Sequence, residues 1–255
     1  MNETSLAPAP RRTLFNVALA IGCALVGGIG GWYWEAHRSG SVSDGERAEI
    51  EGVVHDYLMA HPEVLPKAMA ELERQQTKRQ LAGVQGEIER ASMPTVLGNP
   101  QGKFTLVEFT DYACTYCRRS VEDVERLIAA NPDLRVVVRE LPILTPQSAD
   151  AAKMAIAAAV QGRYAQFHRA MFESGQPDAQ SIEAAAVAAG LDMAKARATR
   201  DDPATEAELV RNLDLAKRLG FTGTPAWVIG DTALSGAVGL EALAQALADA
   251  RSGKS

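Results

Sequence analysis

The sequence predicts an α/β fold in which a helical segment interrupts the sheet. An apolar strand pattern at 104–109 runs through a Cys-x-x-Cys into a helix, and a second strand pattern follows at 134–141. Residues 146–219 are Ala-rich and helical in pattern, and strand patterns return at 226–235. Because a strand, helix, strand order favours a parallel pair with a right-handed crossover, we expect one sheet with a helical insertion.

Composition narrows the class of protein. The chain has 255 residues, is 47% hydrophobic and carries a net charge of -6. That length can bury one good core, with room for an accessory domain. The acidic balance gives no reason to expect nucleic-acid binding, and three cysteines exclude a disulfide framework.

The N-terminal segment predicts a membrane anchor. Residues 13–34 contain no charge, follow Arg11 and Arg12, and end in an aromatic run at 32–34. This is about the length that crosses a hydrocarbon core, and the positive flank predicts that residues 1–12 stay in the cytoplasm. A cleaved signal peptide and a twin-arginine export signal are the alternatives.

Residues 35–93 read as a helical arm. A short linker at 39–44 precedes an apolar helical stripe, which His61-Pro62 ends, with Pro62 expected to open the next helix. The stripe comprises Ile50, Val53, Val54, Tyr57 and Leu58, and it continues through Leu65, Ala68, Met69 and Leu72, then Leu81, Val84 and Ile88. The arm is either a solvated stalk or a segment that associates between chains.

The paired thiols are the centre of the chemistry. Cys114 and Cys117 stand three apart at a helix start, close enough to form a disulfide. The helix N-terminus favours a thiolate at Cys114, the expected nucleophile, and leaves Cys117 as the resolving thiol. A structural zinc site would need two more ligands, and no second Cys pair exists. A two-coordinate Cu(I) site on the same thiols stays open.

One carboxyl interrupts the apolar strand before the thiols. Glu108 lies mid-strand, and a buried carboxylate there would need a partner or a raised pKa. The alternative is an edge-facing surface residue.

The later elements complete the sheet. The helix after the thiols runs to Asn131-Pro132, and strands are predicted at 134–141 and 226–229. A Gly230-Asp231 turn predicts that residues 232–235 pair with the strand at 226–229 as a hairpin. A closing helix is predicted at about 239–251.

Residues 94–252 resemble a DsbA-like member of the thioredoxin superfamily. The resemblance rests on two motifs. One is the strand leading to Cys114-Thr115-Tyr116-Cys117, and the other is the run Gly220 to Gly230 around Thr224-Pro225. The resemblance implies a thioredoxin fold in two parts, 94–145 and 220–255, with the insertion 146–219 between them. It implies that Pro225 is cis and that Thr224 faces the sulfurs.

The resemblance also implies an activity. The protein is expected to be an extracytoplasmic thiol-disulfide oxidoreductase, with Cys114, Cys117 and Glu108 catalytic, and Glu108 moving the proton of Cys117. Thr115, Tyr116, Thr224 and Pro225 are expected to bind substrate. No cofactor or metal is expected, and a Cu(I)-binding or peptide-holding module is the alternative.

Location and partners follow from the same resemblance. The expected location is the bacterial inner membrane, single-pass through 13–34, with the catalytic domain in the periplasm. Expected partners are unfolded or misoxidised secreted proteins and a membrane redox partner. Residues 46–80 look like the helical arm of relatives such as the copper-sensitivity suppressor ScsC and Com1-like proteins, some of which oligomerise through it, so residues 46–90 would carry self-association.

One departure affects the expected potential. The best-known oxidases of this family carry Pro-His between the cysteines, where this chain has Thr115-Tyr116. Without the histidine the thiolate loses one stabilising cation, so the couple is expected to be less oxidising.

Overall fold

The structure is a computed structural model that describes residues 22–34, 43–90 and 92–253. Residues 1–12 and the first part of the predicted anchor, 13–21, lie outside these ranges. Residues 22–34 are helical (α1). No helix in the described ranges combines the length and apolarity that a membrane crossing requires.

The chain divides into two compact units, Met1–Pro66 and Lys67–Ser255. In the first, helix α2 spans Asp44–Ala60 and begins with a capping box between Ser43 and Glu46. Four apolar residues of its predicted stripe, Ile50, Val53, Val54 and Tyr57, are exposed, and the fifth, Leu58, is half-buried. They are therefore available surface rather than core.

The predicted role of Pro62 is wrong. Pro62 and Glu63 form a turn, in which Val64 donates its N–H to the carbonyl of His61 at 3.0 Å. Helix α3 then spans Val64–Ala82, so the proline precedes the helix by two positions instead of opening it.

The second unit is built on a five-stranded sheet of the described residues. Its strands are β1 (Val96–Gly98), β2 (Phe104–Thr110), β3 (Leu134–Glu140), β4 (Ala226–Ile229) and β5 (Thr232–Ser235), in the order β1-β3-β2-β4-β5. β2 and β3 are parallel, and the other neighbours are antiparallel. The predicted parallel pair and the predicted hairpin are both confirmed. The short edge strand β1 was not predicted.

Helices pack on both faces of the sheet and also form the insertion. They are α4 (Gln85–Ile88), α5 (Thr115–Ala130), α6 (Pro146–Val160), α7 (Tyr164–Glu173), α8 (Ala179–Ala188), α9 (Met193–Arg200), α10 (Pro203–Arg218) and α11 (Gly239–Ser252). Side-chain caps start several of them: Thr145 accepts from Ser148 N at 3.1 Å at the start of the insertion.

Alternation along β2 assigns its residues to two cores. Leu106 belongs to the cluster that contains Val124 and Leu127 of α5 and Leu247 of α11. Val107 and Phe109 belong to the opposite cluster, with Leu215 and Leu219 of the α10 region. Because successive side chains of a strand point to opposite faces, Glu108 and Thr110 lie on the α5 side, the same side as Cys117.

The end of the predicted arm belongs to this core. Leu81, Val84 and Ile88 are at most 5% exposed and pack beneath the sheet on the α10 side. The buried Arg139 fixes the same segment, because it donates to the carbonyl oxygens of Glu87 and Ile88 and pairs with Glu208 at 3.0 Å. These three apolar residues are therefore not part of a free stripe, contrary to the sequence-based expectation.

Candidate active site

The two cysteines occupy the start of α5. Cys114 is the N-cap residue, with extended backbone, and its sulfur accepts from the backbone N–H of Cys117 at 3.4 Å. Both are free thiols; Cys117 is fully buried and Cys114 is 5% exposed. An N-cap sulfur meets otherwise unpaired backbone N–H groups, which is the setting expected for a reactive thiolate.

The two thiols have opposite acidities. A hydrogen bond from the Cys117 thiol lowers the pKa of Cys114 to about 5, with the side chain of Thr224 and the N–H groups of Cys117 and Tyr116 adding to the effect and burial opposing it. Burial, and then the Cys114 sulfur, raise the pKa of Cys117 well above its usual range. At neutral pH Cys114 is therefore the nucleophile, and Cys117 keeps its proton.

The loop before β4 completes the site. The Thr224–Pro225 peptide bond is cis, as the sequence predicts. The thiol of Cys114 donates to the carbonyl oxygen of Thr224 at 3.2 Å. The Thr224 hydroxyl is buried and has no other hydrogen-bond partner among the described residues, so it can act on the Cys114 thiolate, whose pKa it helps to lower.

The residues between the cysteines face outward. Tyr116 is 59% exposed, and Arg119 lies over its ring at 5.8 Å from the centroid. Thr115 is also exposed. Arg118 instead turns toward the insertion and donates to the carbonyl of Gly175. The site thus presents an aromatic surface beside a buried sulfur.

Asp111 is a site residue that the sequence analysis missed. It is 1% exposed, and its two carboxylate oxygens accept from the backbone N–H groups of Ala113, Ile143 and Leu144 at 2.8, 2.8 and 2.9 Å. It therefore fastens the loop before the cysteines to the loop after β3. The only signal in the sequence was its position directly before the motif.

Glu108 lies in the middle of the sheet. It is 2% exposed and stands between Val138 of β3 and Trp227 of β4, so the edge-facing alternative is wrong. Burial raises its pKa to about 8. The carboxyl is therefore largely protonated at neutral pH.

A second buried carboxyl, Glu140, ends β3 on the same face. Its Oε1 accepts from the hydroxyls of Tyr112 and Tyr164 at 3.1 and 2.8 Å, and both hydroxyls also lie within 3.4 Å of His168 Nδ1. The sequence analysis named neither Glu140 nor its partners, because each looks like ordinary strand-end or helix polarity until the fold brings them together.

Within the described residues, no group of three or more His, Cys, Asp or Glu side chains is placed to hold a metal ion. The two thiols of the Cys-x-x-Cys remain a candidate pair for a two-coordinate ion.

Residues 105–248, more than half of the chain, match the DSBA-like thioredoxin domain. The chain belongs to this family. Residues 46–79 match the N-terminal domain of the copper resistance protein ScsC. The helical arm thus has its own counterpart in known proteins.

Similar solved structures support this assignment. A thioredoxin-like oxidoreductase from Silicibacter pomeroyi is 40% identical, with a TM-score of 0.59, over 62% of this chain and 91% of that chain. A linker-deletion mutant of Proteus mirabilis ScsC is 27% identical, with a TM-score of 0.63, over 84% and 99%. The thiol-disulfide exchange protein α-DsbA2 from Wolbachia pipientis is 27% identical, with a TM-score of 0.65, over 70% and 97%.

The curated relatives are antiporters that this chain matches over part of their length. A Na⁺/H⁺ antiporter NhaA from Salinispora arenicola is 27% identical over 62% of this chain, and one from Herminiimonas arsenicoxydans is 29% identical over 62%. This chain spans about a quarter of the length of these antiporters. The match concerns one part of them.

Proposed function

We propose that the protein is an extracytoplasmic thiol-disulfide oxidoreductase that exchanges disulfides with other proteins through Cys114 and Cys117. The observation that carries the proposal is the pair of opposed thiols at the start of α5. One sulfur has its pKa lowered to about 5 at an N-cap, and the other is buried and keeps its proton. Membership of the DSBA-like family supports the same chemistry.

The exchange runs through one mixed disulfide in either direction. As a donor, the Cys114–Cys117 disulfide is attacked at Cys114 by a substrate thiolate; the S–S bond breaks and Cys117 leaves with the electron pair. A second substrate thiolate then attacks the substrate's own sulfur, which releases a substrate disulfide and the Cys114 thiolate. As an isomerase or reductase, the Cys114 thiolate attacks a substrate disulfide, and Cys117 resolves the product.

The surroundings of Cys114 define where substrate would bind. The proposed contacts are the exposed side chains of Thr115 and Tyr116 and the backbone around Thr224 and Pro225, next to the sulfur. An extended peptide beside Thr224 would bring its own sulfur to Cys114. Glu108, buried and protonated on the Cys117 side of the sheet, is proposed to assist the proton transfers of the second thiol.

Partners and location complete the proposal. Substrates are secreted proteins with free or wrongly paired cysteines, and a membrane redox partner resets the pair. The proposed location is the periplasm, with attachment to the inner membrane through residues 13–34 as a prediction that the described residues leave open. Self-association through the exposed apolar residues of α2 and α3 is proposed for the arm, on the match of residues 46–79 to the ScsC N-terminal domain.

Trapping tests the proposed exchange. Cys117→Ser leaves Cys114 without its resolving thiol, so this variant should accumulate mixed disulfides with periplasmic proteins that a reducing agent releases. Cys114→Ser is the matched control and should trap almost nothing, because it lacks the reactive sulfur. Equal trapping by both variants would contradict the proposal.

The same variants separate exchange from metal carriage. A Cu(I)-binding module would lose its metal in either variant and trap no protein, since both thiols would be needed as ligands. Stoichiometric Cu(I) binding by the wild type, together with no trapping by Cys117→Ser, would favour that alternative.

A further inference from the structure

Glu140 and Thr110 are direct neighbours on the Cys117 side of the sheet. They are paired in the parallel register of β2 and β3, and both are at most 1% exposed. Paired residues of adjacent strands point to the same face, about 5 Å apart at Cα. Leu106 and Thr110 point to the same face of β2, the face on which Cys117 is buried, so Thr110 lies on the same side of the sheet as both the sulfur and the carboxyl. Its side chain also helps to lower the pKa of Cys117.

One side-chain oxygen of Glu140 and the hydroxyl oxygen of Thr110 make no hydrogen bond among the described residues. These two atoms, Glu140 Oε2 and Thr110 Oγ1, are both buried. Buried polar atoms are almost always paired, so two orphans on adjoining residues beside a reactive thiol point to a shared role. A change of the Thr110 side-chain rotamer or one ordered water would be needed to join them.

The other oxygen of Glu140 is held firmly. Oε1 accepts from Tyr164 and Tyr112, and these hydroxyls in turn lie 3.4 and 3.2 Å from Nδ1 of His168. If both hydroxyls donate to Oε1, the proton of the neutral imidazole must sit on Nδ1. The cluster therefore fixes one carboxyl oxygen and leaves the other free to carry a proton.

We propose that Glu140 is the proton donor for the Cys117 sulfur, through the Thr110 hydroxyl, when the Cys114–Cys117 disulfide is opened. This rests on the proposed function. A substrate thiolate bonds to the Cys114 sulfur, the Cys114–Cys117 bond breaks, and the electron pair goes to Cys117. Thr110 passes its proton to that sulfur and takes the proton of Glu140, which is left ionised and is reloaded from solvent. In the resolving direction the same groups carry the proton back.

The need for a donor follows from burial. A thiolate left on the fully buried Cys117 would be costly, so protonation as it forms lowers the barrier to opening. The pKa of Glu140 is raised to about 8, chiefly by burial, and the hydrogen bonds from Tyr164 and Tyr112 oppose the rise. Glu140 is therefore largely protonated at neutral pH and can also give up its proton.

Every titratable group facing Glu140 enters the pH dependence. These are Glu108 on β2, Asp111 and Tyr112 before α5, and Tyr164 and His168 on α7, with the charges of Asp111 and Glu108 raising the pKa of Glu140. His168 has its pKa lowered to about 3 by burial and stays neutral. The cleft of about 460 Å³ between α5 and α7 is lined by His168, and the charged residues Glu125 and Arg169 also line it.

The test measures the opening step. The oxidised protein is mixed with excess reduced glutathione from about pH 5 to 9, quenched with acid, and analysed by mass for loss of the Cys114–Cys117 disulfide. The rates are divided by the glutathione thiolate fraction. In the wild type this corrected rate should fall as pH rises through about 8, where the donor loses its proton. Glu140→Gln and Thr110→Val should both open about a hundredfold more slowly at neutral pH and lose most of the fall near pH 8, with Glu108 supplying what remains of it. Glu122→Gln, an exposed carboxyl on α5, is the matched control and should follow the wild type.

The outcomes separate this inference from the proposed function. Variants that follow Glu122→Gln in rate and profile would overturn the donor role, as would slowing in only one of the two, since the route needs both. Should Glu140→Gln fail to fold, Thr110→Val decides alone, because its hydroxyl forms no hydrogen bond within the described chain. A wild type whose Cys114–Cys117 disulfide is not opened by glutathione at all would instead contradict the proposed function, and this inference with it.

Discussion

The thiol of Cys114 donates to the backbone carbonyl oxygen of Thr224 across 3.2 Å, although the two residues are 110 positions apart in the chain. The contact joins the start of α5 to the loop that enters β4. The protonated Cys114 side chain is thus held by two parts of the chain, the start of α5 and the loop before β4, one on each side of the helical insertion. Its acidity depends on both.

Thr224→Val should raise the pKa of the Cys114 thiol. The Thr224 side chain helps to lower that pKa, and valine keeps the shape while removing the hydroxyl. We expect a rise of about one pKa unit, the size of a weak hydrogen bond to a charged group. The measurement is a titration of thiolate ultraviolet absorbance. Thr222→Val, exposed in the same loop, should leave the titration unchanged; an equal shift in both variants would contradict the assignment.

Glu108→Gln should change the pH dependence of stability. The native carboxyl has its pKa raised to about 8 from 4.5, so between these values the folded protein holds a proton that the unfolded chain releases. The free energy of unfolding of the wild type therefore loses up to about 1.4 kcal/mol per pH unit from this group as pH rises. Glutamine carries no such proton. The free energy of unfolding of the variant, relative to that of the wild type, should therefore increase as pH rises.

Denaturant unfolding of the two proteins from about pH 4.5 to 8 measures this difference. His168 titrates in both proteins, so its effect cancels in the comparison. The loss of the Glu108 charge also lowers the pKa of Glu140, which adds to the expected gain of the variant with rising pH. Glu122→Gln serves as control. A difference between Glu108→Gln and the wild type that does not vary with pH would contradict the raised pKa.

Two truncations should behave differently. A chain that begins at Lys67 retains Leu81, Val84 and Ile88, and should unfold cooperatively with the wild-type midpoint of its catalytic unit. A chain that begins at Ser92 loses all three, each worth about 1.5 to 3 kcal/mol when buried. It should be strongly destabilised. Thermal unfolding measures this, and equal midpoints would contradict the burial of the segment.

A second comparison, between the chains that begin at Ser43 and at Lys67, tests self-association. If the exposed apolar residues of α2 and α3 join chains, the chain that begins at Lys67 should have fewer subunits than the chain that begins at Ser43. Light scattering coupled to size separation gives the subunit count. An unchanged count would leave the arm as a stalk.

Asp111→Asn should destabilise the active-site loops. The carboxylate accepts three backbone hydrogen bonds, and an amide has only one accepting oxygen, so at least one buried N–H loses its partner. We expect a loss of about 2 to 3 kcal/mol in the free energy of unfolding. Asp56→Asn, exposed on α2, is the matched control. Similar unfolding curves for both variants would show that the loops do not depend on Asp111.

Much of the sheet could be predicted because its signals are local. The run 104–109, the β-branched residues at 134–141 and the Gly230-Asp231 turn each determine a strand or a hairpin from neighbouring residues. The Cys-x-x-Cys and the cis Thr224–Pro225 bond were predictable from their motifs. β1 was missed because three residues before a turn carry no periodicity.

The rest depends on long-range contacts. Leu81, Val84 and Ile88 continue the apolar spacing of the arm, and only the closed sheet shows that they pack beneath it. Asp111, Thr110 and Glu140 are each unremarkable in the sequence, because their roles come from the register of β2 with β3 and from the loop after β3. Such groups become visible only when the fold brings them to one sulfur.

The most direct test of the central claim is the reduction potential of the Cys114–Cys117 pair. A soluble fragment that begins at Ser43 is equilibrated in glutathione buffers, and the redox state of the two thiols is trapped by alkylation. The low pKa of Cys114 stabilises the reduced form, and Thr115-Tyr116 lacks the histidine of the strongest oxidases, so we predict a reversible couple between about -270 and -120 mV. Absence of any reversible Cys114–Cys117 couple would contradict the account.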